Sequence, residues 1–117
     1  MPTEDVLDAA VVAELRRAQD AFGNPAFIRQ LVELFLSNTP GKMDRIRQAL
    51  AAGDAEAIGQ AAHALRSSCG MLGAAQLAGA FARMEEAAAR GDLAAAAVAF
   101  EGAEVQLPAV LEALSRL

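Results

Sequence analysis

The sequence predicts an all-α protein, an up-down-up-down four-helix bundle with a short extra N-terminal helix. Apolar residues recur at three- and four-residue intervals along almost all of the 117 residues, which is the spacing of one face of an α-helix. No segment shows the alternation of β-branched and aromatic residues that a half-buried strand needs. Thirty residues are alanine, which favours helix and lets helices pack closely. We therefore expect a single domain over residues 1–117, with a flexible N-terminus at about residues 1–6.

The first helix and the start of the second are predicted from their capping residues. A short helix should begin near Asp8, whose carboxylate can accept from the first free N–H groups. It should end at Phe22, because Gly23 follows. Asn24 can then cap a second helix, with Pro25 in the first helical position, where its missing N–H costs nothing.

The second helix is predicted to be long, because its apolar stripe continues through Pro40. Phe35 and Ile46 are eleven residues apart, which at about 100° per residue returns them to nearly the same face. The stripe consists of Ile28, Leu31, Phe35, Met43, Ile46 and Leu50. We expect one helix kinked near Pro40 and ending before Gly53, in preference to two separate helices.

The third and fourth helices follow from similar boundary residues. Asp54 should cap a helix that runs to about Cys69, and residues 70–73, with a glycine at each end, should form the next turn. The fourth helix should run from about Ala74 to Ala89 and present Leu77, Phe81, Met84 and Ala88 to the core.

The fifth helix is predicted to extend to the C-terminus. Arg90-Gly91-Asp92 supplies a C-terminal glycine for the fourth helix and a cap for the fifth. Its apolar stripe continues through Pro108 and consists of Leu93, Ala97, Phe100, Leu107, Leu111 and Leu114. We expect a kinked helix here as well.

Composition excludes several functional classes. A net charge of −5, with five Phe and no Trp or Tyr, argues against nucleic-acid binding, since positive charge and stacking platforms are both scarce. The longest stretch without charge, residues 67–82, falls short of a membrane span. The acidic N-terminus does not resemble a secretory signal. One cysteine and one histidine can form neither a disulfide nor a zinc site. We expect a soluble, monomeric cytoplasmic protein with no metal or cofactor of its own.

The one position suited to chemistry is His63, on the third helix. It lies about 200° around the helix from the core residue Leu65, so its ring should face solvent. Between Glu56 and Arg83 the only formally charged residue is Arg66, one helical turn from His63. A histidine is largely neutral at pH 7, which leaves a ring nitrogen free as a nucleophile. The neighbouring guanidinium can bind an incoming anion.

Small or polar residues surround this ring on the predicted surface. Ser67 offers a hydroxyl and Gln60 an amide that could orient the ring or a bound anion. Gly59 and Gly70 remove bulk that would keep a partner protein away. Less specific interpretations compete with a functional one: a lone surface histidine is usually just solvated, and Cys69 on the core stripe is a small buried hydrophobe. Arg83 and Glu86 of the facing helix could form a rim, although a solvated face is the simpler account.

The run from His63 to Ala74, His-Ala-Leu-Arg-Ser-Ser-Cys-Gly-Met-Leu-Gly-Ala, resembles the motif of histidine-containing phosphotransfer (HPt) domains. That motif is His-x-Leu-Lys-Gly/Ser-Ser-x-x-x-Leu-Gly-Ala. Further landmarks extend the resemblance from about residue 7 to the end: Leu7-Asp8, Phe22, residues 25–27, 34–36, 39–40, 51–54 and 90–92. Two positions depart from the family, Arg66 where Lys is commoner and Ser67 where Gly is commoner.

The resemblance implies a carrier that reversibly moves a phosphoryl group on His63 to or from an aspartate of response-regulator receiver domains, or takes it from a hybrid sensor kinase. It implies that Arg66 stabilises the phosphoryl oxygens and that the receiver supplies Mg²⁺. The chain has no nucleotide-binding loop. One alternative is a non-catalytic adaptor that docks on receiver or kinase domains without carrying phosphate. Another is an enzyme using His63 as general acid or base, which needs a pocket and a second titrating group that the sequence does not predict.

Overall fold

A computed structural model describes residues 6–117, and within them the chain forms five helices. Their bounds are α1 Ala9–Phe22, α2 Phe27–Ala52, α3 Ala55–Met71, α4 Ala75–Ala89 and α5 Leu93–Ser115. Helices α2 to α5 form the predicted four-helix bundle: α3 packs between α2 and α4, and α5 closes the ring against α4 and α2. The short helix α1 packs on α2. The predicted flexible segment lies almost wholly outside the described residues, and Val6 is half-buried against the core.

Most predicted boundaries are confirmed by their caps. The carboxylates of Asp8, Asp54 and Asp92 each accept from a backbone N–H of the following first turn, as N-cap residues do. The start of α2 is a correction. The helix begins at Phe27 and not at Pro25. The Asn24 side chain accepts from Ala26 N at 3.1 Å, so it closes the preceding turn.

The prolines do not break their helices. α2 is continuous through Pro40 and α5 through Pro108, as predicted. The residue before Pro40 is Thr39, the only buried polar side chain among the described residues. Its hydroxyl donates to the Phe35 carbonyl at 2.6 Å, which satisfies the hydroxyl inside the core.

The turn between α3 and α4 is shorter than predicted, because α3 continues through Gly70 to Met71. Gly73 adopts φ +82°, and a Cβ there would lie 3.2 Å from Val11 Cβ and 3.3 Å from the Asp8 backbone. Asp8 N donates to the Gly73 carbonyl at 2.7 Å. A glycine is therefore needed here both for backbone conformation and for the close approach of the N-terminal segment.

The buried stripe of α5 is rotated from the predicted one. Phe100 and Leu114 are buried as expected. The other buried residues of α5 are different from the predicted ones and include Ala96, Ala103 and Val110. Four predicted members are only half-buried: Leu93, Ala97, Leu107 and Leu111. Because α5 is apolar around most of its circumference, spacing alone does not determine which face turns inward.

α5 is also long and apolar enough to cross a membrane by length and composition, with a mean hydropathy of 1.3 and 28% of the window buried. A core helix of a soluble protein meets the same criterion, and α5 packs on α4 and α2. The prediction that the chain has no membrane segment was based on the length of its uncharged stretches, and it stays a prediction.

The core is built from alanine on closely packed helices with a few large side chains between them. The largest fully buried residues are Phe81, Ile46, Ile58, Leu65, Leu77, Met84 and Cys69. Burial raises the pKa of the Cys69 thiol to about 12, which fits its predicted role as a small buried hydrophobe. This rigid core fixes the face that α3 turns to solvent.

Candidate functional site

His63 stands on the outer face of α3, as its spacing predicts. The flanking core positions Ala62 and Leu65 are 0% and 1% exposed, whereas the His63 side chain is 59% exposed. Burial of its two neighbours prevents α3 from rotating, and therefore the ring is held toward solvent. The ring is open to a partner protein.

The Nδ1 atom of His63 lies between two charged groups. It is 2.7 Å from Glu85 Oε2 on α4 and 3.1 Å from an Arg66 terminal nitrogen on α3. A single ring nitrogen cannot donate to the carboxylate and accept from the guanidinium in one tautomer. The shorter contact to Glu85 assigns the proton to Nδ1, so in the neutral ring the lone pair is on Nε2.

The Glu85 carboxylate contacts both His63 and Arg66. Its Oε1 accepts from Arg66 Nε at 2.8 Å while Oε2 contacts His63. The side chain is 32% exposed, and this partial burial by itself raises the pKa of Glu85. Hydrogen bonds from His63 and Arg66, together with the Arg66 charge, outweigh that effect and lower the Glu85 pKa. Glu85 is therefore a carboxylate at neutral pH and orients both side chains.

Sequence reasoning missed Glu85 and named Glu86 and Arg83 of the same helix instead. Glu86 pairs with Arg90 at 2.9 Å. Arg83 lies on the exposed face of α4. Glu85 comes directly after buried Met84, about 100° around the helix, which places it at the edge facing a neighbouring helix. The sequence could therefore have indicated that Glu85 lies at the edge of the buried face of α4. That this edge faces α3 and His63 is seen only from the way the helices pack.

The other predicted site residues take different positions around the ring. Arg66 contacts His63 directly, as predicted from their spacing. The Gln60 amide donates to Glu56 at 3.4 Å, along α3 and away from the ring. Ser67 is exposed one turn beyond His63 on the same face. The structure therefore brings Arg66 and Glu85 to the ring, while Gln60 and Ser67 remain at its margins.

Gly59 and Gly70, the predicted docking positions, differ in their surroundings. A Cβ at Gly70 would meet nothing within 4 Å, so that end of the face is open. A Cβ at Gly59 would lie 3.7 Å from Ala88 Cβ of α4. Gly59 therefore forms part of the floor between the two helices.

The sequence does not predict a pocket beside His63, but the structure has an open one there. An open groove of about 470 Å³ lies beside the ring, lined by residues of α3 and α4 that include Gly59, His63 and Glu85. The small side chains at the α3–α4 contact leave this space unfilled. A second titrating group, Glu85, also lies within hydrogen-bond distance of the ring. The two features that an acid–base enzyme would need, a pocket and a second titrating group, are therefore both found beside His63, although the pocket is widely open.

The lowered pKa of Glu85 makes a prediction for acid stability. A carboxylate whose pKa is lower in the folded than in the unfolded chain stabilises the fold above the unfolded pKa, about 4.3 for Glu, and this stability is lost as pH falls through the folded value. In Glu85→Gln, the free energy of unfolding should therefore decrease less steeply than in wild type as the pH falls below about 4.3. Urea titrations at several pH values measure this.

The effect should be small, since the site is partly exposed. Glu86→Gln on the same helix is the matched control, because within residues 6–117 Glu86 pairs with Arg90 alone, on the surface. An identical pH profile for wild type and Glu85→Gln would contradict the assigned role of Glu85.

No group of three or more His, Cys, Asp or Glu side chains within residues 6–117 could hold a metal ion. The site therefore consists of an exposed imidazole, a carboxylate on its Nδ1 side and a guanidinium that both other groups contact. An imidazole with a free Nε2 lone pair can attack an electrophile brought from outside.

Comparison with known proteins agrees with this arrangement. Residues 30–117 match the family model described as the Hpt domain. The chain is also similar to the crystal structure of histidine-containing phosphotransfer protein B (HptB) from Pseudomonas aeruginosa PAO1. The TM-score is 0.84 at 28% sequence identity, and the similarity covers 95% of this chain and 92% of that one. No curated protein sequence matches the chain.

Proposed function

This chain belongs to the Hpt domain family, and we propose that His63 is the residue on which it carries the phosphoryl group. The chain is a histidine phosphotransfer protein of a two-component phosphorelay, a system in which Hpt domains interact with receiver domains and kinases. The observation that carries the proposal is the exposed ring of the chain's only histidine, paired through Nδ1 with Glu85. The reaction therefore takes place at Nε2.

The proposed step is an in-line transfer between the partner's aspartate and His63. The Nε2 lone pair attacks the phosphorus of an aspartyl phosphate, the N–P bond forms, and the acyl P–O bond breaks to leave an aspartate carboxylate. Since this transition state is loose, positioning and charge stabilisation account for most of the catalysis. The reaction is reversible, because the phosphoryl–nitrogen bond can be attacked by an aspartate in turn.

Glu85 has two roles in this step. It holds the proton on Nδ1, which leaves Nε2 unprotonated for attack. As the N–P bond forms, the ring acquires positive charge, and the carboxylate at 2.7 Å from Nδ1 stabilises it. We propose Glu85 as a positioning residue on these grounds.

Arg66 is proposed to bind the phosphoryl oxygens. Its guanidinium is already one turn from His63 and 41% exposed, so a docked partner can reach it. A guanidinium can keep one nitrogen on Glu85 and offer others to an anion, because its five N–H groups form a planar fork. Mg²⁺, expected on the receiver, would neutralise further charge on the phosphoryl group.

Replacement of Arg66 tests its role. Arg66→Ala should slow transfer from a phosphorylated receiver about 10- to 100-fold, the effect of losing one charge-assisted hydrogen bond. Single-turnover transfer rates measure this. Arg66→Lys, which keeps the charge, is the matched control and should remain within a few-fold of wild type. An unchanged rate for Arg66→Ala would remove Arg66 from the mechanism.

Chemical stability of the bound phosphate separates the carrier from the adaptor. Incubation with a panel of phosphorylated receiver domains should label the protein with one acid-labile, base-stable phosphate. A non-catalytic adaptor would bind the same receivers and remain unlabelled. The groove beside His63 supports a second candidate, acid–base catalysis, which would consume a small substrate without leaving phosphate on the protein.

We propose a monomeric, cytoplasmic protein without a cofactor of its own. Its single thiol is free and buried, which is the state expected of a cysteine in a reducing compartment. The four-helix bundle covers its own core.

A further inference from the structure

Release of a phosphoryl group from Nε2 depends on the proton at Nδ1 of the same ring. When the N–P bond breaks, its electron pair stays on Nε2, so a ring with a proton on Nδ1 leaves as neutral imidazole. A ring without that proton would leave as imidazolate, which is a much poorer leaving group. The group that faces Nδ1 of His63 therefore acts on the loss of the phosphoryl group as well as on its acceptance.

The group that faces Nδ1 is the carboxylate of Glu85, with Oε2 at 2.7 Å. Glu85 is positioned on α4 by its buried neighbour Met84, so it does not depend on a bound partner for its place. Nε2 is the other nitrogen of the ring, and the His63 side chain is 59% exposed. A phosphoryl group can therefore be attached at Nε2 while Glu85 stays in contact with Nδ1.

The other charged groups around the ring do not supply a negative charge at Nδ1. Arg66 of α3 lies 3.1 Å from Nδ1, and its charge opposes a proton there. Glu56 is seven residues, or about 10 Å, from His63 along α3, and its carboxylate accepts from Gln60. On the α2 side, Lys42 lines a separate groove that does not include the ring.

We propose that Glu85 sets how long the phosphoryl group stays on His63, by keeping a proton on Nδ1 of the phosphorylated ring. This inference rests on the proposed function and extends it from acceptance to release. In release, a receiver aspartate or water attacks phosphorus, the new P–O bond forms and the N–P bond breaks. The electron pair stays on Nε2 and the proton stays on Nδ1. Glu85 acts through the ring and is a positioning residue for this step as well.

A neutral group at position 85 should lengthen the lifetime of the phosphohistidine. Glu85→Gln keeps the size of the side chain and an oxygen that can accept from Nδ1, but it removes the charge. At pH 8 the phosphorylated variant should lose its phosphoryl group to water about 10-fold more slowly than wild type, since a charge-assisted hydrogen bond becomes a neutral one. Both proteins are labelled with an excess of phosphorylated receiver or of phosphoramidate and freed of donor. The remaining label is then followed over time.

The pH profile separates this role from a structural one. At pH 5 an imidazole ring takes up a proton from water, so the lifetimes of wild type and Glu85→Gln should converge there. A displaced ring or helix would change the lifetime by the same factor at every pH. Glu86→Gln is the matched control, because it removes the next carboxylate on α4, which pairs with Arg90. It should keep the wild-type lifetime at both pH values.

Free phosphohistidine is a reference that needs no variant. As the pH is raised, the rate of phosphate loss should begin to fall at a higher pH in the wild-type protein than in the free amino acid. The same pH in both would overturn the proposal.

The outcomes distinguish this proposal from the proposed function. If wild type takes up label from neither donor, the proposed function is wrong and the lifetime proposal is wrong with it. If wild type is labelled and Glu85→Gln loses its phosphate at the wild-type rate at pH 8, only the lifetime proposal is wrong. Slower loss by the same factor at pH 5 and pH 8 also overturns it, because the substitution then acts on structure and not on the Nδ1 proton.

Discussion

His63→Gln leaves a folded helical bundle that accepts no phosphoryl group. Glutamine keeps a polar side chain of similar size on an exposed position, 59% accessible in the native residue, so the fold should not respond. It has no nucleophilic nitrogen, because the amide lone pair is delocalised. The sequence contains no other histidine to take the phosphate. Transfer from a labelled receiver should fall below detection.

The assay uses a phosphorylated receiver that labels the wild-type protein, with the helical signal and thermal midpoint of both proteins measured alongside. Gln60→Ala, one turn away on the same face, controls for a change of surface alone and should still be labelled. Persistent labelling of His63→Gln with acid-labile phosphate would mean that the acceptor has been misassigned. Loss of the helical signal would contradict the exposed position of His63.

Phe81→Ala should produce the largest loss of stability among single substitutions of this kind. Phe81 is 0% exposed at the centre of α4, and truncating a buried phenylalanine removes apolar burial and leaves a cavity, at a cost of about 3–5 kcal/mol. A domain of this size has a total stability on the order of 5–15 kcal/mol. The variant should unfold at a much lower denaturant concentration, as followed by circular dichroism.

The same substitution at Phe22 is the control. Phe22 is 67% exposed and makes an edge contact with Phe27 at a centroid distance of 5.1 Å. Its truncation should cost about 1 kcal/mol or less, since little burial and one aromatic pair are lost. Equal losses at the two positions would show that Phe81 is not the packing centre of α4.

Stability and chemistry are connected through α3. Ala62 and Leu65 anchor one side of the helix in the core, and the opposite side then presents His63 and Ser67 to solvent. Glu85 is held in the same way by its buried neighbour Met84 on α4. The 2.7 Å contact between Nδ1 and Glu85 therefore depends on how closely the alanine-rich seam lets α3 and α4 approach.

Much of the fold could be predicted from local chemistry. The caps at Asp8, Asp54 and Asp92 and the exposure of His63 depend on neighbours a few residues away in the chain. The continuity of α2 through Pro40 was visible in apolar spacing as well. The motif beginning at His63 identified the family, since its residues are contiguous along the chain.

The predictions failed where the answer depended on another helix. The buried face of α5 was misjudged because nearly every side of it is apolar, and contact with α4 and α2 selects the face that contains Ala103. Glu85 was missed because it is 22 residues away from His63 in sequence. The groove at Gly59 was not predicted, since it exists only where two helices meet.

Local periodicity and capping were therefore sufficient for the order of the helices and for the exposure of His63 beside Arg66, because each depends on short-range geometry within one helix. The distance between α3 and α4 decided the rest: the carboxylate on Nδ1, the tautomer it selects and the groove beside the ring. That distance is set by how small side chains from separate helices pack together, and no spacing within one helix records it.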